Sequence, residues 1–417
     1  MKKIILLLLV SICSLSVYGQ FEIDRVEKLL LEKEDTSGLI KYKGLVSLSS
    51  GYNINSNAIT NSFLSALLYG TSDITDGLKD QVSGRLKSYN RVGADFNVGA
   101  DGMYKTKKLT YVIGLHHREF ANSTFTNDMF ELVFKGNKEF VGQTANIGDF
   151  KLRYFDYQNL YVGVLKNIES KKMTIGGGLS FIRGGRYQEV DIKNGSLYTD
   201  PNGYYIDMNA NVNTASSPNN NLGASNGLGG AVNLYFSVKH KKNQFNVEVR
   251  DLGFITWKNQ TVYSGDSSYR FEGYKINDVL SPNTSLTSGI NSDSIITSLG
   301  IKKSTQNITM MLPATFHVNY VFNPNKRFSR IIGVKYMVNS SYVPRVYIKG
   351  MDYFKHGFIL VNTVSYGGWG RFDWEVGLMK NFKNSFVVSL NAFVFEYLVL
   401  PGHSSGHGFN FSLTKLF

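Results

Sequence analysis

The stretch ITMMLPATFHVNYVF, residues 308–322, changes character at almost every second residue. Ile308, Met310, Leu312, Ala314, Phe316, Val318, Tyr320 and Phe322 share one face of an extended chain, and Thr309, Thr315, His317 and Asn319 share the other. The same period runs through FVVSLNAFVFEYLVL (386–400), FDWEVGLMK (372–380) and AVNLYFSV (231–238). Successive side chains of a strand point to opposite faces, so a sustained period of two predicts β-structure with one face for an apolar medium and one for water or polar packing. Beyond the N-terminus no uninterrupted apolar run is long enough for a membrane helix. The chain has 28 Phe, 25 Tyr and 41 Gly against 7 Pro. Together these point to an all-β fold, a transmembrane antiparallel β-barrel whose strands are apolar outward and polar inward.

Turns carry the second signal. Short basic turns at 106–108, 169–172, 240–243, 323–327 and 380–384 are interleaved with long polar stretches at 57–87, 123–147, 188–225 and 259–307. Bacterial barrels pair short periplasmic turns with long extracellular loops in this way. The pattern predicts about fourteen strands, with twelve or sixteen as alternatives. The first covers 43–56 and the last 406–417; others cover 173–187, 244–258 and 308–323. Much of the formal charge of +13 sits in those turns, near membrane headgroups. With no nucleic-acid motif in an exported chain, no nucleic-acid partner is expected.

The N-terminus, MKKIILLLLVSICSLSVYGQ, has the charge-then-apolar order of a secretory signal, expected over 1–19. The only cysteine, Cys13, falls inside it, which leaves no disulfide or thiolate chemistry in the exported chain. Residues 20–42 are expected as a periplasmic or plug-like segment, with a helical stripe over 21–34, and 43–417 as the barrel, located in a bacterial outer membrane.

Two further helices are predicted in the long loops. ITNSFLSALLYG (59–70) has candidate caps at Thr60 or Asn61, and TNDMFELVFKGN (126–137) at Thr126 or Asn127. Phe63, Leu64 and Leu67 of the first, and Met129, Phe130, Leu132 and Val133 of the second, need burial, so these mouth helices are expected to fold over or into the mouth of the barrel. Residues 214–230 read as a mobile polar loop.

The last strand explains the aromatic C-terminus. Phe409, Phe411, Leu413, Lys415 and Phe417 share a face, and this strand must pair with the first to abolish the sheet edge in lipid. Phe409, Phe411, Leu413 and Phe417 are assigned as a signal to the outer-membrane assembly machinery, with Lys415 snorkelling to the interface.

No catalytic, metal or cofactor site is assigned. GHSSGHG (402–408) offers His403, Ser404, Ser405 and His407, yet a polar turn uses the same residue types, and two histidines are too few for a structural metal site. The glycine clusters lack the following helix that a phosphate-binding loop needs. Alternation sends His116, Arg118, Glu248, Arg250, Asp373 and Glu375 into the lumen, as a conducting lining or as ion pairs that fill it. Asp251 is assigned to the lipid face, unless Gly253 marks a bulge that re-aims it or it lies at the extracellular rim.

HHREF (116–120), NDMFELVFKGN (127–137), VEVRDLGFITWKN (247–259) and YRFEG (269–273) resemble a domain-of-unknown-function family of Bacteroidota outer-membrane barrels, over about residue 43 to the end. That resemblance implies a barrel and carries no catalytic or binding residues with it. The architecture is also similar to the long-chain fatty-acid transporter barrels. The expected function is a channel or transporter for a small solute, apolar in class, with outer-membrane lipid and the assembly machinery as partners and no enzyme activity. The alternative is a non-transport barrel, an adhesin or secretion-associated subunit, that binds an envelope or surface partner through its long loops.

Overall fold

Alternation becomes a closed wall in the computed structural model, which describes residues 42–70, 73–221, 223–272, 300–322, 328–382, 385–399 and 404–417. The signal segment, nearly all of 20–42, His403 and the 323–327 turn lie outside the described residues. In chain order the strands are β1 (Gly44–Ser56), β2 (Asn90–Lys105), β3 (Thr110–Phe125), β4 (Thr144–Asn146), β5 (Phe150–Ile168), β6 (Met173–Thr199), β7 (Ile206–Ser216), β8 (Gly227–His240), β9 (Asn243–Phe271), β10 (Lys302–Met311), β11 (Thr315–Phe322), β12 (Phe328–Met337), β13 (Val343–Tyr353), β14 (Phe358–Gly368), β15 (Phe372–Asn381), β16 (Phe386–Phe393) and β17 (Gly406–Leu416). Among the described residues four short α-helices accompany them: α1 (Asn61–Tyr69), α2 (Asp76–Ser83), α3 (Asn127–Phe134) and α4 (Glu396–Val399).

The wall is a closed antiparallel barrel of 14 strands. β10 and β11 occupy one wall position, both pairing with β9, while β4 and β7 stand beyond the wall at the end with the long connections. Closure is β1 against β17, with Val46 opposite Lys415 and Tyr52 opposite Phe409. The Phe417 carbonyl accepts from the Lys43 and Gly44 amides at 2.7 and 2.9 Å, so no free edge remains there.

Outward positions form an apolar belt that includes Leu48, Ile113, Leu115, Val162, Leu179, Phe181, Ile348 and Phe372, all exposed. Lys415 lies on this face with its ammonium 4.2 Å from the Phe386 ring centroid. Inward positions are buried, as with Ser389, Asn391, His317 and Asn319.

Four expectations are corrected. The strand expected at 308–323 is broken at Leu312–Ala314. Pro313 offers no N–H to the ladder, and the phase slips across it: Met310 and Leu312 are buried and Met311 is exposed. Strands β6 and β9 do not end near 187 and 258 but run to Thr199 and Phe271, clamping β7 between them in a protrusion beyond the wall. Outside the membrane neither face must be apolar, so the ladder continues where the alternation signal fades. Residues 214–230 are not a free loop, since Thr214–Ser216 belong to β7 and Gly227–Gly230 to β8. The Asn226 amide also donates to Gly184 at 2.9 Å.

The fourth correction concerns the mouth helices. Thr60 and Thr126 are their N-caps, accepting from Phe63 and Met129, and Gly70 ends α1 at φ 60°. Their apolar faces do not fold over or into the mouth. Phe63, Leu64 and Phe130 are buried, with Leu67 and Met129 packed on them, in a cluster that takes in Ile54, Val92, Phe125 and Phe150. By register those four residues lie on the outward face of β1, β2, β3 and β5. The helices form a pad against the outside of the wall. Leu132 and Val133 remain half-buried.

Candidate functional site

Inside the wall the side chains fall into layers. Toward the long-connection end, Phe120, Phe155, Tyr157, Tyr187 and Trp257 form an aromatic layer. Tyr187 stacks on Trp257 at 5.2 Å, and Phe120 meets Phe155 at 5.3 Å. Toward the short-turn end lies an apolar ring that includes Leu45, Met103, Leu165, Tyr235, Val361 and Leu416. Between these layers sits a charged middle.

All six lumen candidates face inward, in two groups. His116, Arg118, Glu248 and Arg250 line a cavity of about 120 Å³ together with Asp101, Asp251 and apolar Leu45, Met103 and Leu165. His116 meets Asp101 at 3.0 Å and Asn97 at 3.2 Å. Arg118 pairs with Asp251 at 2.5 Å and with Asp95 at 3.4 Å. Arg250 is 3.1 Å from Glu248, whose second oxygen lies 3.7 Å from His317. His317 in turn contacts the Tyr347 hydroxyl at 2.8 Å. Asp373 and Glu375 lie elsewhere: Asp373 accepts from Asn55 at 2.7 Å, and Glu375 is bonded by Arg345.

Asp251 resolves the open question of its face. It has φ 56°, and the β8–β9 register shifts between Val232 and Leu234 opposite it. The bulge lies at Asp251 itself and turns two successive residues, Arg250 and Asp251, into the lumen. Asn159 donates to its other carboxylate oxygen at 3.1 Å, and Asn233 accepts from its amide at 3.0 Å.

A second cavity of about 80 Å³ is lined by Asp95, Asn97, Arg345 and Glu375 and by apolar Met337, Tyr342, Val361 and Phe393. Asn97 borders both cavities. Its roof is Trp369, which the alternation argument did not single out. The β14–β15 connection, GGWG, folds inward, with Gly367 at φ 111° and Gly368 at φ 73°. The indole packs edge-on against Tyr342 at 5.2 Å and lies 5.7 Å from Phe120. Arg91 reaches across the mouth to hold both shoulders of the turn, donating to Gly368 O at 3.0 Å and Gly370 O at 2.8 Å. Gly93 leaves the room: a Cβ there would lie 2.0 Å from the ring. A tryptophan flanked by glycines in a short turn is the sequence signal that marks this plug.

Outside the lumen, His407 meets the Tyr69 hydroxyl at 3.0 Å and the Asn61 side chain, and the Ser405 hydroxyl accepts from Arg85. Among the described residues these contacts make His407 and Ser405 anchors of α1 and its loop.

No curated protein matches the chain. Among solved structures, the toluene transporter TbuX of Ralstonia pickettii is similar at 9% identity over 92% of each chain, with a TM-score of 0.45. A FadL homologue of Pseudomonas aeruginosa is similar at 8% identity over 89% of each chain, with a TM-score of 0.43. The translocator domain of the autotransporter NalP from Neisseria meningitidis is similar at 9% identity over 95% of this chain and 93% of that one, with a TM-score of 0.36. These likenesses are of barrel to barrel. The segments NDMFELVFKGN and VEVRDLGFITWKN both fall within residues 38–386, which match the model of a family of unknown function, DUF5723, and the chain belongs to that family.

Proposed function

We propose that the protein is a bacterial outer-membrane barrel through which a small, mainly apolar solute passes. The observation that carries this reading is the order of layers in the lumen: an aromatic layer roofed by Trp369, two small cavities, then an apolar ring. A wide water-filled pore keeps a polar lining along its length, whereas here each end of the cavities is apolar. The paired charges between fill the wall rather than line a path for ions: Arg118, Asp251, Arg345 and Glu375 already satisfy one another. In this reading the long-connection end is extracellular, the 1–19 segment is removed on export, and 20–42 lies at the periplasmic mouth.

Two measurements test it together. Planar bilayers containing the purified protein should show no steady ionic conductance, and cells carrying the protein in the outer membrane should take up a small labelled apolar solute faster than cells without it. Steady conductance would overturn the closed lumen, and equal uptake would remove the passage.

A second reading, partner binding, is favoured by the protrusion of β6, β7, β9 and β10 beyond the wall. If it holds, excising Ile206–Ser216 abolishes capture of an envelope or surface partner and leaves uptake unaffected.

A further inference from the structure

The short-turn end of the wall is strongly basic. Its connections at 105–108, 166–172 and 239–242 carry nine lysines and one carboxylate, Glu169. Two more lysines of this end stand on the lipid face itself. Alternation carries Leu378 and Lys380 of β15, and Phe411, Leu413 and Lys415 of β17, to the outside of the wall. The strand between them, β16, turns Phe386, Val388 and Leu390 outward, with Val388 opposite Lys380 and Phe386 opposite Lys415. Both ammonium groups are seated on aromatic rings. Lys380 Nζ lies 3.6 Å from the Phe358 ring centroid and 5.8 Å from that of Phe382, and Lys415 Nζ lies 4.2 Å from that of Phe386. Lys380 also donates to the His356 carbonyl, which uses one of its three N–H donors. Phe358, Phe382 and Phe386 are exposed, as are Leu378, Leu390 and Phe411 nearer the middle of the belt. Among the described outward positions of β14, β15, β16 and β17 there is no side-chain carboxylate. By contrast Arg330, on the lipid face of β12, is paired with Asp352 at 2.8 Å.

We infer that the outer face of β14 to β17 at this end is a binding surface for anionic phospholipid. The acyl chains lie along Leu378, Leu390 and Phe411, the headgroup phosphates meet Lys380 and Lys415, and the three phenylalanine rings sit at the boundary between chains and headgroups. A zwitterionic headgroup brings its own cation toward the two lysines, whereas a headgroup of net negative charge complements them. Each lysine near an anionic lipid surface adds a preference of about 5-fold. The inference rests on the reading of the chain as a membrane barrel and not on passage of a solute through its lumen.

The test compares dioleoylphosphatidylglycerol with dioleoylphosphatidylcholine, which share chains and a phosphate and differ in net charge. Each is added to the purified full-length protein in detergent, and bound lipid is counted by native mass spectrometry. Wild type should hold the anionic lipid in excess. K380Q and K415Q should each lower the anionic-to-zwitterionic ratio about 5-fold, with zwitterionic binding little changed, and K380R and K415R should keep it. The double variant K107Q/K108Q removes two charges from an exposed turn and should leave the ratio at the wild-type value. Heat-dependent electrophoretic mobility reports whether each variant folds, and either glutamine variant alone suffices for the comparison. Equal binding of the two lipids by wild type, an unchanged ratio in a folded glutamine variant, or an equal fall in K107Q/K108Q overturns the surface. Binding of neither lipid overturns the membrane reading with it.

Discussion

At the residue scale, one backbone angle decides where a charge goes. With Asp251 in the left-handed region its carboxylate turns from lipid to lumen and meets Arg118. Strict alternation assigned it outward, and a single inserted residue reverses that assignment without leaving a mark in composition. Arg118 is buried and its other carboxylate, Asp95, is 3.4 Å away. D251A should therefore cost about 3–5 kcal/mol of stability, as loss of one partner of a buried pair does. Urea unfolding in lipid vesicles measures it, and a loss below about 1 kcal/mol, the range of an exposed pair, would show that Asp251 is not the main partner. The six polar residues that alternation sends into the lumen all face inward, because the slip in β9 comes after Glu248 and Arg250, at Asp251. Trp369 was not legible in this way, since a turn has no period.

Whole elements show the same limit from the other side. The wall strands were readable because lipid demands an apolar residue at every second position. The upper halves of β6 and β9, and β7, stand beyond the apolar belt, with Ala215 and Val262 reaching the aromatic core, so the ladder there continues without an apolar residue at every second position and the sequence shows a polar stretch. The tip of this protrusion has a pH signature. Arg270 donates two hydrogen bonds of 2.7 Å to Asp207 and holds its carboxyl below the usual range. A depressed carboxylate stabilises above its unfolded value, about 3.9, and that contribution is lost as pH falls through the lower folded value. Amide exchange at 206–208 and 269–271, corrected for the intrinsic rate, should stay constant from neutral pH down to about 4 and accelerate only below it. Acceleration already near pH 6 would show that the pair does not hold the tip. The helices α1 and α3 were visible from caps and apolar stripes, but a stripe records only that a face must be buried, and the outside of the wall buries it as well as the mouth would.

For the molecule as a whole, closure is the property that matters most. The Phe417 ring lies against Gly44, where a Cβ would come within 2.6 Å, and its backbone holds Lys43 and Gly44. F417S should lower the folded amount delivered to the outer membrane severalfold in cells, measured by fractionation and heat-dependent mobility. Delivery at the wild-type level would show that the terminal aromatic is not read by the assembly machinery. The alternation of apolar and polar residues, with the spacing of the turns, by itself pointed to the barrel, to about fourteen strands with twelve or sixteen as alternatives, and to six polar residues of the lumen without Asp251, because lipid outside and polar packing inside act on every residue of a regular wall strand independently. What only the tertiary structure decided is the content of the lumen and the placement of the loops. Which charges pair, which turn becomes the roof and which side of the wall the helices cover all depend on contacts between residues far apart in the chain, such as Arg91 with the Gly368–Gly370 turn and His407 with Asn61, and no local period encodes such contacts.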